Sequence, residues 1–353
     1  MVFRNKRVLV TGGTGSLGKV LVRRLVNGTN GLPQKIIVFS RDEAKQHFMR
    51  LEYLNKKIAT DEVIYSNFQR MVEFRIGDVR DYASVASALK DCDVVINAAA
   101  LKQVPSCEYF VEEAVKTNIL GPCNIVRAID ELKLPIETVV GVSTDKACKP
   151  INAMGMTKAL QEKVFLSANL KCQKTRFVCV RYGNVLSSRG SVIPLFHEQI
   201  ANGGPVTITS EEMTRFLLTL EHAVDIIVMA IKYGERGQIF IPMIPAAKVI
   251  DIAKILIGNR TISNIPIPIE NIGLRPGEKL HEILISEEEK TRTTKMKDHF
   301  VISSALPELN NTGEGIEKEY SSVDSLVDSS TLYKLLEDNG LLAPEQEKKE
   351  TLK

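Results

Sequence analysis

The chain has 353 residues, with 46 lysines and arginines against 43 aspartates and glutamates, and its formal charge of +3 is spread with both signs interspersed. That length can bury a large core and divide into two lobes, the mixed charge gives no basic stripe for nucleic acid, and six widely spaced cysteines and five scattered histidines offer neither a disulfide frame nor a metal site. No apolar run is long enough to span a bilayer and residues 1–6 lack the apolar segment of a secretory signal, so the expectation is a cytoplasmic protein without membrane or nucleic-acid partners.

The first element is a strand. Val8 to Val10 form an apolar run suited to a buried parallel strand, and Leu17, Val20, Leu21 and Leu25 then recur at helical spacing. Between them lies the turn Gly12-Gly13-Thr14-Gly15-Ser16-Leu17-Gly18. Gly12 permits the sharp reversal, Gly15 lets the backbone approach a pyrophosphate, and Gly18 lets the helix pack closely on the strand. The N–H groups of this turn, with Thr14, Ser16 and Leu17 among its residues, and the helix dipole behind them attract phosphate. The second strand, Lys35 to Phe39, ends in Ser40-Arg41-Asp42-Glu43. An NAD enzyme places a carboxylate at this strand end for the ribose 2′-hydroxyl, whereas Ser40 and Arg41 suit a 2′-phosphate, so NADP is expected over NAD. Asp42 and Glu43 pull the other way, and Ser40-x-x-Glu43 also has the spacing of a helix capping box.

Residues 44–70 read as polar helix, and Val72, Phe74 and Ile76 alternate as a third strand ending at Gly77-Asp78-Val79-Arg80-Asp81. Asp78 and Val79 are placed there to meet an adenine, or to make a plain turn. A fourth run, Val94-Val95-Ile96, leads into Asn97-Ala98-Ala99-Ala100, small residues that admit a cofactor close to the backbone or let a helix pack tightly. Glu112 to Leu132 reads as one long helix carrying Lys116 and Asn118, and Thr138 to Val142 as the fifth strand. At that strand's end comes Ser143-Thr144-Asp145-Lys146, where an open α/β sheet places ligand and chemistry. The next helix opens at Pro150 and puts Met154 and Lys158 four apart on one face. A hydroxyl, an acid and two lysines around an expected nicotinamide can hold ligands and move protons. After the sixth strand, Phe177 to Arg181, the regular alternation stops. The fold expected is therefore α/β: a Rossmann-type doubly wound parallel sheet over residues 1–180, a smaller C-terminal substrate lobe mainly over 181–340 and interleaved with the first, and a frayed tail at 341–353 that includes Glu345 to Glu350. Val206 to Thr209 reads as a short strand and His222 to Ile231 as a helix with an apolar face for core or subunit packing, while residues 303–341 give mixed signals and no function.

The ordered motifs resemble those of an extended short-chain dehydrogenase/reductase acting on nucleotide sugars, and are most similar to the inverting UDP-N-acetylglucosamine 4,6-dehydratases of surface-polysaccharide pathways. The likeness rests on Thr11-Gly12-x-x-Gly15-x-x-Gly18, Ser40-Arg41-Asp42-Glu43, Gly77-Asp78-Val79-Arg80-Asp81, Asn97 to Pro105, Ser143-Thr144-Asp145-Lys146, Arg181-Tyr182-Gly183-Asn184-Val185 and Arg275-Pro276-Gly277-Glu278, and covers roughly residues 5–290. It implies a bound NADP that oxidises the sugar at C4, loss of water across C5 and C6, and return of the same hydride to C6. By this resemblance Asp145 protonates the departing C6 hydroxyl and Lys146 removes the C5 proton, roles that ask for a raised Asp145 pKa and a lowered Lys146 pKa. Lys158 would anchor the nicotinamide ribose. Lys102, Asn184, Arg215 and Arg275 would meet the UDP-sugar, the arginines through a guanidinium fork that fits phosphate. A homo-oligomer formed through helices beside the cofactor lobe is also implied. One position departs: Met154 stands where most of the superfamily has the tyrosine base, and a thioether has no proton to exchange. Lys146, Thr144 with a water, or Lys158 is then left to take the C4 hydroxyl proton. A 4-epimerase or 4-keto-sugar reductase on the same fold, and a noncatalytic NADP-binding scaffold, are the alternatives.

Overall fold

The computed structural model describes residues 1–54, 62–186, 191–259, 266–309 and 312–342. Gly190 and the stretch Glu345 to Glu350 lie outside them. Short apolar runs flanked by glycine and polar turns become strands β1 (Arg7–Thr11), β2 (Lys35–Ser40), β3 (Val72–Ile76), β4 (Val94–Asn97), β5 (Thr138–Val142) and β6 (Arg176–Val180). They pair in parallel in the order β3-β2-β1-β4-β5-β6, so the winding reverses direction beside β1. In register, Val10 faces Val38 on one side and Ile96 on the other, and all three are fully buried because helices cover both faces. Three strands from beyond residue 180 extend the same sheet: β9 (Ile239–Pro242) parallel to β6, then β14 (His299–Ile302) and β13 (Thr293–Lys295) antiparallel at the edge.

The helices of this lobe are α1 (Ser16–Asn27), α2 (Glu43–Leu54), α3 (Glu62–Met71), α4 (Tyr82–Leu89), α5 (Val104–Tyr109), α6 (Val111–Val115), α7 (Gly121–Glu131), α8 (Ala153–Lys171) and, later in the chain, α10 (Leu220–Tyr233). The expected single helix from Glu112 to Leu132 is interrupted by a π-helical turn at Lys116–Leu120. The extra residue in that turn swings Asn118 fully inward, where its amide donates to Leu101 O at 3.0 Å and to Thr157 Oγ1 at 3.0 Å and its oxygen accepts from Leu101 N at 2.8 Å. Lys116 stays at the surface with Glu113. The Ser40-x-x-Glu43 capping box does not form. Asp42 caps α2 instead, its Oδ1 accepting from Lys45 N at 2.9 Å, so Ser40 faces inward toward Thr14 at 3.2 Å.

The second lobe has short strands because its loops are long and its apolar runs brief: β7 (Val206–Ile208) with β11 (Ile269–Asn271), β8 (Thr214–Phe216) with β10 (Ala246–Lys248), and β12 (Ile283–Ile285) with β15 (Tyr320–Ser321). Helices α9 (Val192–Ala201), α11 (Val249–Gly258) and α12 (Ser329–Asp338) enclose a separate core containing Phe196, Val206, Ile252, Leu332 and Leu336. Of the weakly patterned residues after 303, Leu332, Leu336 and Leu341 thus pack into this core, whereas Tyr320 packs against the core of the large sheet, its Oη accepting from Ile244 N at 3.1 Å and donating to Ile244 O at 3.2 Å.

Candidate active site

A cleft of about 1130 Å³ runs along the carboxyl ends of the parallel strands and under the second lobe. It opens where the strand order reverses, the place at which open α/β sheets bind ligands. Every residue singled out from the sequence for cofactor, substrate or chemistry borders it: Gly12, Thr14, Gly15, Ser16, Leu17, Gly18, Ser40, Arg41, Asp78, Val79, Ala98, Ala99 and Ala100 at one end, Thr144, Asp145, Lys146, Met154 and Lys158 in the middle, and Lys102, Asn184, Arg215 and Arg275 toward the second lobe.

At the first end the backbone is bare. Gly12 has φ +66° and an added Cβ would lie 2.9 Å from the Ala99 backbone, so only glycine permits β1 and β4 to end this close. Thr11 Oγ1 donates to Asn97 Oδ1 at 2.7 Å and accepts from Ala99 N at 3.2 Å, which fixes the small-residue turn after β4. The start of α1 has Gly15 as its N-cap and no side-chain cap, leaving its first N–H groups for an anion. This wall fits a dinucleotide pyrophosphate. Arg41 reaches outward, 3.9 Å from Asp78, while Asp42 is engaged with Lys45 at 2.5 Å.

The middle of the cleft is charged. Asp145 is fully buried, its backbone N–H donating to Tyr182 O at 3.0 Å. Its Oδ1 accepts from Thr144 Oγ1 at 2.6 Å and from Lys146 Nζ at 3.2 Å, while Oδ2 has no partner. Lys146 Nζ also lies 3.2 Å from Glu282 Oε1. Burial alone would lower the Lys146 pKa, but the carboxylates of Asp145 and Glu282 outweigh it and hold the ammonium above its ordinary value. The lowered Lys146 expected from the sequence is therefore not what the site shows. Lys158 is the lysine that is lowered, to about 8, because it is buried and its Nζ donates to neutral groups, Val142 O and Gln161 Oε1, each at 2.6 Å. Met154 is buried beside Cys107 and Ala114 on the same helix face as Lys158.

The seam with the second lobe is less regular. Burial lowers the Lys102 pKa, and Asn184 presents a buried Oδ1 with no partner. Arg215 Nη1 donates to Thr214 O at 2.8 Å and Leu280 O at 3.2 Å, and Arg275 stands exposed at the rim. Two side chains here carry more than their sequence context announced. Asn152 caps α8 by accepting from Gly155 N at 2.7 Å and donates to Gly277 O at 2.8 Å, tying the Arg275 loop to the helix of Met154 and Lys158. Glu282, 2% exposed, closes the far side of Lys146. Beneath the cleft, Arg181 is buried between Glu162 (Nη2 to Oε2, 2.7 Å) and Glu289 (Nη1 to Oε2, 2.8 Å), and Glu162 also accepts from Ser143 Oγ at 2.5 Å. Against its burial, the Arg181 guanidinium holds Glu289 down at about 2.

Residues 8–304 match the sequence family described as polysaccharide biosynthesis protein. The chain belongs to this family. A family relative named UDP-glucose 4-epimerase, from Rickettsia bellii, is 44% identical over 321 residues, covering 90% of this chain and 89% of its own. Among solved structures, Pen from Bacillus thuringiensis is 35% identical with a TM-score of 0.83, covering 96% of this chain and 99% of its own. The dTDP-glucose 4,6-dehydratase DesIV from Streptomyces venezuelae, solved with NAD and TYD bound, shares the fold at 20% identity, with a TM-score of 0.64 over 78% of this chain and 86% of its own. The chain thus has a Rossmann-type α/β fold like that of DesIV, and among the described residues no helix is long and apolar enough to cross a membrane.

Proposed function

We propose that this protein is a nucleotide-sugar 4,6-dehydratase that converts UDP-N-acetylglucosamine to a UDP-2-acetamido-2,6-dideoxy-4-keto-hexose with inversion at C5, through transient oxidation at C4 by NADP. The observation that carries this reading is the juxtaposition of a fully buried carboxyl, Asp145, with an amine, Lys146, at 3.2 Å on the cleft wall. Loss of water needs an acid for the departing oxygen and a base for the C5 proton, and an exchange at C4 alone needs neither.

The bare wall at Gly12, Ala99 and the uncapped start of α1 would hold the pyrophosphate, Ser40 and Arg41 a 2′-phosphate, and Lys158 the nicotinamide ribose. With Asp42 drawn to Lys45, the carboxylate that would favour NAD is occupied. When bound, the nicotinamide supplies the oxidant at C4 and the reductant at C6. Asp145 Oδ2, lacking a partner, is the oxygen that carries the acid's proton. The ammonium and carboxylate seen here become a neutral amine and a neutral acid by one internal proton transfer, with no change in net charge. Arg215 and Arg275 take the diphosphate and Lys102 and Asn184 the sugar. The homo-oligomer implied by the resemblance would cover Tyr109, Phe110, Met156 and Leu160, which are exposed on and beside α5 and α8.

The test is incubation with UDP-N-acetylglucosamine in deuterated water. A 6-deoxy-4-keto product carrying deuterium at C5 supports the reading and reports its configuration, and unchanged sugar sinks it. A second reading, 4-epimerase, is supported by the name of the Rickettsia bellii relative. Asp145→Asn and Lys146→Ala separate the two, since a dehydratase loses elimination while an epimerase keeps most of its turnover.

A further inference from the structure

With methionine in place of the phenol, Lys146 is one of the groups left to take the C4 hydroxyl proton, and in that role it faces two proton abstractions. If Lys146 takes the C4 hydroxyl proton, it is an ammonium when the C5 proton must leave. Asp145 cannot relieve it, because Asp145 has to keep its own proton for the departing C6 oxygen. A third group must hold the first proton.

We propose that Glu282 is that group: it receives the C4 hydroxyl proton from Lys146 and stores it, freeing Lys146 to act a second time. The proposal rests on the dehydratase reading. Glu282 Oε1 lies 3.2 Å from Lys146 Nζ, and Glu282 Oε2 is buried, unpartnered and part of a residue that borders the cleft. Around it the charged neighbours are Lys146, Asp145 beyond that, and Arg215, whose Nε lies 3.8 Å from Oε1. Its backbone is locked from the C-terminal segment: Glu282 N donates to Ser322 Oγ at 3.0 Å, Ser322 N donates to Glu282 O at 2.8 Å, and Ser322 Oγ meets Thr214 Oγ1 at 2.6 Å. Such a fixed carboxylate, 3.2 Å from the lysine nitrogen, is placed for one short proton transfer.

The protons balance. The site begins with one, moved from the Lys146 ammonium to Asp145 by the internal proton transfer. The O4–H bond breaks as N–H forms on Lys146, a bound nicotinamide supplying the acceptor for the C4 hydride. That N–H proton passes to the Glu282 carboxylate. The C5–H bond then breaks toward Lys146, the C5–C6 double bond forms, and the C6–O bond breaks as Asp145 gives its proton to the leaving water. The hydride returns to C6 and one proton returns to C5, so one proton remains, as at the start.

The experiment uses Glu282→Gln in the NADP-loaded full chain, mixed with UDP-N-acetylglucosamine. Near-ultraviolet absorbance follows the reduced nicotinamide and NMR follows product. The expected result is that oxidation proceeds, reduced cofactor persists through the first turnover, and product formation falls about a hundredfold. A merely structural defect would slow both steps and leave no reduced cofactor standing. Nitrogen-15 NMR of the lysine side chains supplies a readout apart from turnover: the Lys146 ammonium should titrate at lower pH in the variant. Dehydration within about threefold of wild type, with no reduced cofactor accumulating, overturns the role of Glu282 while the dehydratase reading stands. Absence of any 6-deoxy-4-keto sugar from wild type overturns both. If the glutamine variant does not fold, Glu282→Asp carries the test, with a transient build-up of reduced cofactor and about a tenfold slower product expected, and wild-type transients overturning the proposal.

Discussion

Two lysines border the same cleft, Lys158 buried and Lys146 partly so, and their pKa values are moved in opposite directions. Lys146, at the seam with the second lobe, touches two carboxylates and is kept a cation, whereas Lys158, on α8 under β5, touches a carbonyl and an amide and is lowered to about 8. Burial acts to lower both, so burial does not decide their chemistry. The partners do, and the partners of Lys146 come from both lobes while those of Lys158 come from one.

The largest effect should follow from breaking the charged side. Lys146→Ala is expected to lower dehydration by about 10³-fold with NADP affinity unchanged, measured by product NMR and calorimetry. The buried cation below the cleft gives the structural version of the same arrangement. Arg181→Met leaves Glu162 and Glu289 unpaired and should cost about 3–5 kcal/mol in chemical denaturation, while converting both glutamates to glutamine in the same chain should recover part of the loss. Glu289, held at about 2 against an ordinary 4.5, adds stability that is present above pH 4.5 and is lost as pH falls toward 2. The neutral side should respond with the opposite sign. Because Lys158 is lowered from 10.5 to about 8, unfolding takes up a proton between those values, so stability rises with pH through that window, and Lys158→Met should flatten the rise and add about 2 kcal/mol at neutral pH. Smallest is a cation with no burial: Arg41→Ala should weaken NADP about tenfold and leave NAD unchanged, and equal losses for both would remove the 2′-phosphate assignment.

The backbone at the first end of the cleft was legible because its signals are local. Val8 to Val10, the glycines that follow and the small residues after β4 each announce their local structure within a few positions, and Asp145 and Lys146 are adjacent in sequence. What escaped was built by distance. Glu282 meets Lys146 only because β12 is brought across from the second lobe, and its dipeptide, His281-Glu282, reads as ordinary surface. The same holds for the Arg181 network and for Asn152, a helix cap whose second bond to Gly277 no spacing reveals. The π turn at Lys116–Leu120 keeps a helical hydrophobic pattern on both sides, so periodicity reads straight through it. The expected direction for Lys146 failed in part for a related reason: it follows from the role that the resemblance implies, whereas the sign comes from Asp145 beside it and then from Glu282, far along the chain.

Ser322, which secures Glu282, is synthesised late, while the glycine turn at the other end of the cleft is among the first residues made. A stop codon just upstream of Ser322 would remove the brace behind Lys146 together with α12, whose Leu332 and Leu336 lie in the core of the second lobe.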